Sequence, residues 1–365
     1  MGNVSLSTRT GLPVMIADDP RAFDTLAEGW KRLDGPSMSP MQSLEWARAC
    51  VETFHANDPL RLVVLGTLER PLAVAPLVVR PGGRLELAGV RALSEPTDFT
   101  YSSPQALELL TRGLARLNAP LELSRVPSDS PLLDSLQLAF RLHSLVLTSE
   151  PAGCPYIPLD ESWARPESKL NAGRRSDFRR MQRRAEQLGP VRCELLEPTL
   201  DELPSLLQQA LEVEDRSWKG REGTSLLRDP ERLAFFRRYA AATAASGQLR
   251  LNLLRIGEQP VAMQLGVETG GRLWLLKIGY DEAFSSCSPG MLLMLQVVGH
   301  AARKGLHTLE LLGGPEPWVK LWTEQVRPCN AIRVYPAGAK GAVALGSDAV
   351  SVARRRLARL VEKWG

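Results

Sequence analysis

The chain has few of the residues that mark metal centres and disulfide frameworks, and it lacks long apolar runs. Its 365 residues include five cysteines and four histidines, and no CxxC pair occurs. This scattering excludes the usual zinc motifs and favours a reduced, cytoplasmic setting without a metal. No apolar run approaches the ~20 residues that span a bilayer. The chain also starts without the basic and apolar blocks of a signal peptide.

The chain also has almost no excess of one sign of charge over the other. The 45 basic residues barely exceed the 41 acidic ones, which gives a formal net charge of +4. So small an excess does not indicate a dedicated nucleic-acid-binding protein. Hydrophobic residues make up 44% of the chain, which is enough for a large core at a length typical of about two domains.

Helical and strand patterns are mixed along the whole chain and predict an α+β protein with mixed sheets flanked by helices. We predict a first domain over residues 1–160, which ends in a stretch rich in proline and glycine. A second domain is predicted over 161–335, followed by a basic amphipathic helix within 336–365. The predicted strands cover 60–68, 72–79, 84–90, 121–126, 248–255, 261–268, 272–280 and 308–312, and the predicted helices cover 21–55 in two parts, 105–117, 131–140, 170–188, 200–218, 232–245, 288–304 and 348–364.

The helix predicted over 170–188 carries six arginines, among them Arg175 and Arg179, and two acids, Asp177 and Glu186. Guanidinium groups spaced three and four residues apart form a line of anion-binding forks. Such a helix binds a diphosphate or another polyanion, including RNA. The alternative is a solvated helix face, since arginine is also a good helix former.

The strand that ends at Tyr280 leads through a loop of small residues into Ser288-Pro289-Gly290. Backbone N–H groups at a helix start bind phosphate or pyrophosphate, and glycine permits close approach of a ligand. The alternative interpretation is an ordinary capped helix, because serine and proline are favoured there on structural grounds.

Two further segments offer chemistry. Glu214 and Trp218 lie one helical turn apart, and a carboxylate beside an aromatic wall can act as a base or simply pack there. Glycines at 313–314 precede Lys320, which is suited to neutralising an oxyanion or to an ordinary surface position. The sequence alone leaves both pairs of alternatives open.

Taken in order, these segments resemble the acetyltransferases of the CelD/BcsL-like group, named for cellulose biosynthesis, within the GNAT superfamily. The N-terminal half resembles the group more loosely, through Trp46, the strands at 60–79 and Asp98-Phe99. The group is also similar to the Fem-type aminoacyl ligases, so the resemblance implies two GNAT-like domains with a degenerate copy over 1–160. The matching stretches are 174–189, 214–224, 279–282, 288–293 and 313–322.

The resemblance implies an N-acyltransferase that moves an acyl group, typically acetyl, from acyl-CoA to the amine of a small molecule or amino sugar, for example in exopolysaccharide biosynthesis. The implied catalytic residues are Glu214, Asp281 and Glu282 as candidate bases, Tyr280 as the acid and Lys320 at the oxyanion. The implied CoA contacts are Lys277, Ile278, Gly279, Ser288, Pro289, Gly290, Met291 and Leu292. The implied acceptor contacts are Arg175, Arg179, Trp218, Lys219, Asp98 and Trp318.

Two departures from the family pattern affect these expectations. Trp318 is followed by Val319, so the lysine comes one position later than usual, and on a strand it would face the opposite side. The standard phosphate-loop signature is also absent.

Two alternative functions therefore remain, a Fem-like transferase that takes its donor from aminoacyl-tRNA and a non-catalytic scaffold or sensor. The basic C-terminal helix is suited to a membrane surface, to a partner or to packing on the body. The oligomeric state stays open.

Overall fold

The structure is a computed structural model that describes residues 4–7, 12–33, 35 and 38–364, without the side chains of 4–7, 355 and 359–364. The chain forms two compact units. The first combines 1–34, 41–152 and 328–365, and the second combines 35–40 with 153–327. This division differs from the predicted ranges, because the residues from 328 onward belong with the first unit.

The first unit is built on a mixed sheet. Nine strands within its described residues run in the order β1-β2-β3-β4-β5-β7-β16-β8, with β6 paired to β4. Its strands are β1 (Val4–Ser7), β2 (Pro13–Ala17), β3 (Leu60–Gly66), β4 (Pro71–Arg80), β5 (Arg84–Leu87), β6 (Thr100–Tyr101), β7 (Leu121–Pro127), β8 (Ser144–Ser149) and β16 (Cys329–Pro336). Its helices are α1 (Ala22–Lys31), α2 (Leu44–Phe54), α3 (Val90–Leu93), α4 (Pro104–Ala115), α5 (Leu132–Phe140) and α11 (Ala339–Trp364).

Local chemistry explains where these helices begin. Ser43 accepts a hydrogen bond from the Trp46 amide at 3.1 Å, and Ser103 accepts one from the Ala106 amide at 3.1 Å. Both serines therefore satisfy a helix-start N–H group that would otherwise lack a partner. The apolar faces of α4 and α5 cover the sheet in one core that includes Leu107.

The second unit has its own mixed sheet. Seven strands within its described residues run in the order β10-β11-β12-β13-β14-β9-β15. The strands are β9 (Cys154–Pro158), β10 (Val191–Leu196), β11 (Leu249–Ile256), β12 (Gln259–Thr269), β13 (Arg272–Tyr280), β14 (Thr308–Glu310) and β15 (Val326–Arg327). The helices are α6 (Ala172–Leu188), α7 (Leu203–Asp215), α8 (Trp218–Arg221), α9 (Pro230–Ala245) and α10 (Pro289–Arg303), with 3-10 turns at 161–164, 166–169, 226–228, 282–287 and 319–321.

The two units repeat one succession of elements. Each has a strand, two main helices, three antiparallel strands, a helix and then a strand parallel to the third of the three. The parallel pair is β5–β7 in the first unit and β13–β14 in the second. The sequence shows no internal repeat that reveals this, because the repeat lies in the hydrogen-bonded topology and not in residue identity.

Most predicted elements are confirmed with small shifts at their ends. The strand predicted over 84–90 stops at Leu87, and the C-terminal helix begins at Ala339, earlier than predicted. Strand β16 was not predicted as a strand, and nearly all of its residues fall in the predicted second domain, yet it pairs with β7 and β8 of the first unit. Among the described residues, no helix is both long enough and apolar enough to cross a membrane.

Candidate functional site

Strand β13 has an open edge along its second half. Strand β14 pairs with Arg272, Leu273 and Trp274 only, while β13 continues to Tyr280. Within the described part of the chain, residues 275–280 therefore have no neighbouring strand on that side. Backbone N–H and C=O groups along such an edge need partners, and an extended ligand chain can supply them.

Helix α10 begins shortly after this edge ends, and its first turn is open. Ser288 sits in the left-handed region at φ 48°, and its side chain makes no capping hydrogen bond. The Met291 and Leu292 amides donate to the Ser288 carbonyl at 3.0 and 3.3 Å. The Gly290 amide has no partner among the described residues. A free N–H at a 15-residue helix start suits an anion.

Glycine at 290 matters because of the ring beside it. A Cβ placed on Gly290 would lie 3.4 Å from Cδ1 of Tyr280. Any longer side chain would fill the space next to that ring and in front of the free amide. Pro289 and Leu292 are buried, whereas Gly290 and Met291 are partly exposed. Of these four residues at the helix start, a ligand could therefore contact only Gly290 and Met291.

Glu214 is buried and fully engaged. Its Oε1 accepts a hydrogen bond from Lys219 Nζ at 3.0 Å, and its Oε2 accepts one from the Leu226 amide at 3.0 Å. Lys219 also donates to the Ile278 carbonyl of β13 at 2.8 Å. Both predicted site residues therefore fasten α7 and α8 to β13, and the roles of base and of acceptor contact stay predictions for them.

Gly279 allows this close packing. A Cβ at Gly279 would lie 3.1 Å from the Glu214 Cα, so a side chain would push α7 away from β13. Its neighbour Lys277 places its ammonium 4.9 Å from the centre of the Phe236 ring. These contacts are packing contacts within the second unit, and the CoA-binding role of both residues stays a prediction.

Asp281 and Glu282 are also held by partners. Asp281 is buried, and it accepts from Arg216 Nε at 2.8 Å and from the Ala283 amide at 3.0 Å. Glu282 is partly exposed and pairs with Arg221 at 2.5 Å. These interactions fix the turn that joins β13 to α10. Neither carboxylate has a hydrogen-bonding pattern that points to a general base.

Tyr280 differs from the three carboxylates. Its side chain is half-buried against the second-unit core, and its hydroxyl has no partner among the described residues. A phenolic O–H in this position can donate a proton or a hydrogen bond to a ligand.

The segment around Lys320 is a 3-10 turn, so the expected strand alternation does not apply. Val319 is buried and Lys320 is exposed. Trp318 is half-buried, and its Nε1 donates to Glu316 at 2.7 Å. Trp218 on α8 is 41% exposed. The structure therefore leaves the Lys320 ammonium and part of the Trp218 ring accessible.

Helix α6 buries part of one apolar side and leaves most of its arginines exposed. Phe178 and Ala185 are buried, whereas Leu188 is exposed. Arg175 donates to the Leu170 carbonyl, and Arg184 donates at 3.1 Å to the Ser286 carbonyl in the turn before α10. Within the part of the chain that the structure describes, two arginines on the exposed side have no partner, namely Arg179 and Arg183.

Asp98 lies in the first unit, whereas every other predicted site residue lies in the second. It is 6% exposed and accepts a hydrogen bond from the Phe99 amide at 2.7 Å. Burial raises the pKa of the Asp98 carboxyl to about 7.

Sequence reasoning missed the partners of the predicted carboxylates. The segment 216–221 carries three basic residues, Arg216, Lys219 and Arg221. The two arginines pair with acids about 60 residues further along the chain. The run of basic residues was the available signal, but it does not say which acid each one pairs with.

No cluster of three or more potential metal ligands occurs in the described ranges.

Residues 172–320 match the family described as an acetyltransferase (GNAT) domain. All of the matched residues lie in the second unit. The repeated topology makes the first unit GNAT-like as well, which confirms the predicted fold class of two such domains with mixed sheets and flanking helices. The chain is an acyltransferase by class. The CelD/BcsL-like assignment stays a prediction.

Solved structures agree with this fold. The chain is similar to the C-terminal DUF2156 domain of a protein described as a lysylphosphatidylglycerol synthetase from Agrobacterium fabrum, at 13% identity and a TM-score of 0.55, covering 90% of this chain and 96% of the other. It is also similar to FemX, at 12% identity and a TM-score of 0.55, covering 86% and 96%. The comparison with curated proteins found no match. At such low identities these likenesses concern the fold alone.

Proposed function

We propose that the acetyltransferase domain transfers an acyl group from acyl-CoA to the amine of a small molecule. The observation that carries this proposal is the continuity between the open edge of β13, residues 275–280, and the open first turn of α10. An extended pantetheine arm pairs with such an edge in the manner of an added strand. The pyrophosphate then meets the helix start, where the Gly290 amide is free.

A comparison of the two units supports the proposal that the second unit, and not the first, binds the acyl donor. Its corresponding helix, α4, also begins with serine and proline, but Ser103 caps the helix with its own hydroxyl. The position in α4 that corresponds to Gly290 is occupied by Gln105, so its amide lies beside a side chain that Gly290 lacks. This difference favours a first unit that has lost donor binding, as the degenerate-copy hypothesis expects.

The proposed reaction is a direct transfer. The lone pair of the neutral amine forms the new N–C bond at the thioester carbonyl, and the C–S bond breaks as the intermediate collapses. Tyr280 donates its phenolic proton to the departing thiolate and regains one from solvent. The amine loses its own proton to water, because Glu214, Asp281 and Glu282 are committed to Lys219, Arg216 and Arg221.

The acceptor class is the least constrained part of the proposal. An amino sugar, for example from exopolysaccharide biosynthesis, follows from the family resemblance. The accessible ring of Trp218 supports it, because a sugar ring can pack against an aromatic face. Lys320 is accessible to a negatively charged group on the acceptor or to the oxyanion.

A second candidate donor is aminoacyl-tRNA, as in a Fem-like transferase. One observation favours it. Arg179 and Arg183 are exposed on α6 without acid partners among the described residues, and such a row can contact phosphates of RNA. A nucleotide-linked acceptor would use the same row.

Thermal unfolding with candidate ligands tests these proposals. Acetyl-CoA at 100 times its dissociation constant should stabilise the protein by about 2.7 kcal/mol, with free CoA and longer acyl-CoAs as comparisons. Stabilisation by CoA species and turnover of acetyl-CoA with an amine support the first proposal. Salt-sensitive binding of tRNA without a CoA response supports the second. A response to neither ligand overturns both and favours a scaffold.

A further inference from the structure

The C-terminal helix α11 packs on the first unit through one narrow side. Gly341 and Ala344 are buried, and Asp348 accepts hydrogen bonds from Arg84 at 2.8 Å and from the Tyr335 hydroxyl at 2.5 Å. These residues recur at helical spacing, so they form one face. This face attaches the helix to the sheet of the first unit.

A second face of α11 is apolar and points away from that attachment. At 100° per residue, Val343, Val350 and Leu357 fall on one line, and they are 68%, 52% and 61% exposed. Gly346 and Ala353 lie between them at spacings of three and four. In the sequence, Leu360, Val361 and Trp364 continue the same pattern. The apolar side predicted for this helix is therefore not the side that packs on the body.

Basic residues accompany this apolar face, which we call the outer stripe (Val343, Gly346, Val350, Ala353, Leu357). Between 350 and 364 the sequence has five basic residues and one acid, Glu362. Arg354 is exposed beside the outer stripe and has no partner among the described residues, whereas Arg356 lies nearer the attachment side, where it lines a cavity with Tyr335. The combination of an apolar stripe, basic flanks and a terminal tryptophan is typical of helices that lie in a membrane interface.

We propose that α11 docks the protein on an anionic lipid surface, with the outer stripe in the interface and the arginines among lipid headgroups. Charge complementarity favours this occupant over a second copy of the chain, because two such helices would bring basic flanks together. Small residues at 346 and 353 also give poor packing knobs for a helix pair, whereas lipid chains adapt to them. The proposal goes beyond acyl transfer and does not depend on it.

Vesicle sedimentation with the full chain tests the proposal. Phosphatidylcholine vesicles are compared with vesicles that also contain phosphatidylglycerol, at low and high salt. We expect binding to the anionic vesicles only, reversed by salt. Leu357→Asp should reduce binding at least tenfold, and Arg354→Ala should reduce it about fivefold.

Leu142→Asp is the matched control, because Leu142 is 73% exposed in the first unit and lies outside α11. This variant should bind as the unaltered chain does, and circular dichroism should show that all variants are folded. Failure to bind anionic vesicles, or equal binding by Leu357→Asp, overturns the proposal. It is also overturned if light scattering shows a dimer that Leu357→Asp dissociates while vesicles are ignored, since a second copy then covers the stripe.

Discussion

Lys219 donates a hydrogen bond to Glu214 at 3.0 Å, and the same ammonium contacts the carbonyl of Ile278 at 2.8 Å. The Glu214 side chain is 1% exposed and that of Lys219 is 19% exposed. Glu214, which the sequence alone suggests as a base, is thus part of the hydrogen-bonded contact that holds α7 and α8 against β13. Stability and activity measurements can distinguish a structural role from a catalytic one.

Glu214→Ala should lower the free energy of unfolding by about 3–5 kcal/mol, because the variant leaves the Lys219 charge in a largely buried position without its partner. Urea unfolding measures this loss, and a double-mutant cycle with Lys219→Met should show strong coupling. Glu282→Gln is the control, since breaking its exposed pair with Arg221 should cost about 0.5 kcal/mol. If Glu214→Gln keeps full stability but loses all turnover, Glu214 is the base after all.

Gly290→Glu should abolish CoA binding while the protein stays folded. The new carboxylate interacts favourably with the helix start, but it occupies the space beside Tyr280 and repels phosphate. Isothermal titration with CoA measures the loss. Gly290→Ala is the steric control, because its Cβ meets the Tyr280 ring at an ordinary contact distance of 3.4 Å. An unchanged CoA affinity in the glutamate variant removes this helix start from the site.

Tyr280→Phe should lower kcat about 100-fold with little change in KM for acyl-CoA, because the phenyl ring keeps the contact with Gly290 and loses only the proton donor. Steady-state kinetics with acetyl-CoA measures the effect. A thioester whose thiol is more acidic needs less help from a proton donor, so it should reduce the difference in kcat between the variant and the unaltered protein. Equal losses on both donors would contradict the role of general acid.

Asp98 should make the first unit more stable at mildly acidic pH. Its pKa is raised to about 7 by burial, so the folded state holds the proton between about pH 4 and pH 7 while the unfolded state releases it. Stability should therefore fall as pH rises through this window, by on the order of 4 kcal/mol, and level off above it. Urea unfolding across pH measures the slope, and Asp98→Asn should remove it. A slope that persists in Asp98→Asn belongs to another group.

Much of the local structure follows from nearby residues. Ser43 and Ser103 begin helices as their chemistry predicts, and the glycine turns at 257 and 270–271 join the three antiparallel strands of the second unit. These features depend on hydrogen bonds and backbone angles within a few positions, so the sequence predicts them directly.

The site was predictable as a set of segments and not as a set of contacts. Ser288-Pro289-Gly290 predicts the start of α10, yet the serine cap of the alternative interpretation is missing, because Ser288 lies in the left-handed region. The partner of Asp281 is Arg216, 65 positions earlier. Such pairs depend on how α7 packs on β13, which local patterns do not encode.

Hydrophobic periodicity, caps and turn glycines are local, and for this chain they predict most of the main helices, the three-stranded meanders of both units and an α+β class, but not the strands at 13–17, 144–149, 154–158, 191–196 and 329–336. Pairing of β16 with β7, the unpaired half of β13 and the outward orientation of Val350 and Leu357 on α11 result from folding. Each of them joins or separates residues far apart in the chain, and the free energy of such contacts comes from packing the whole unit.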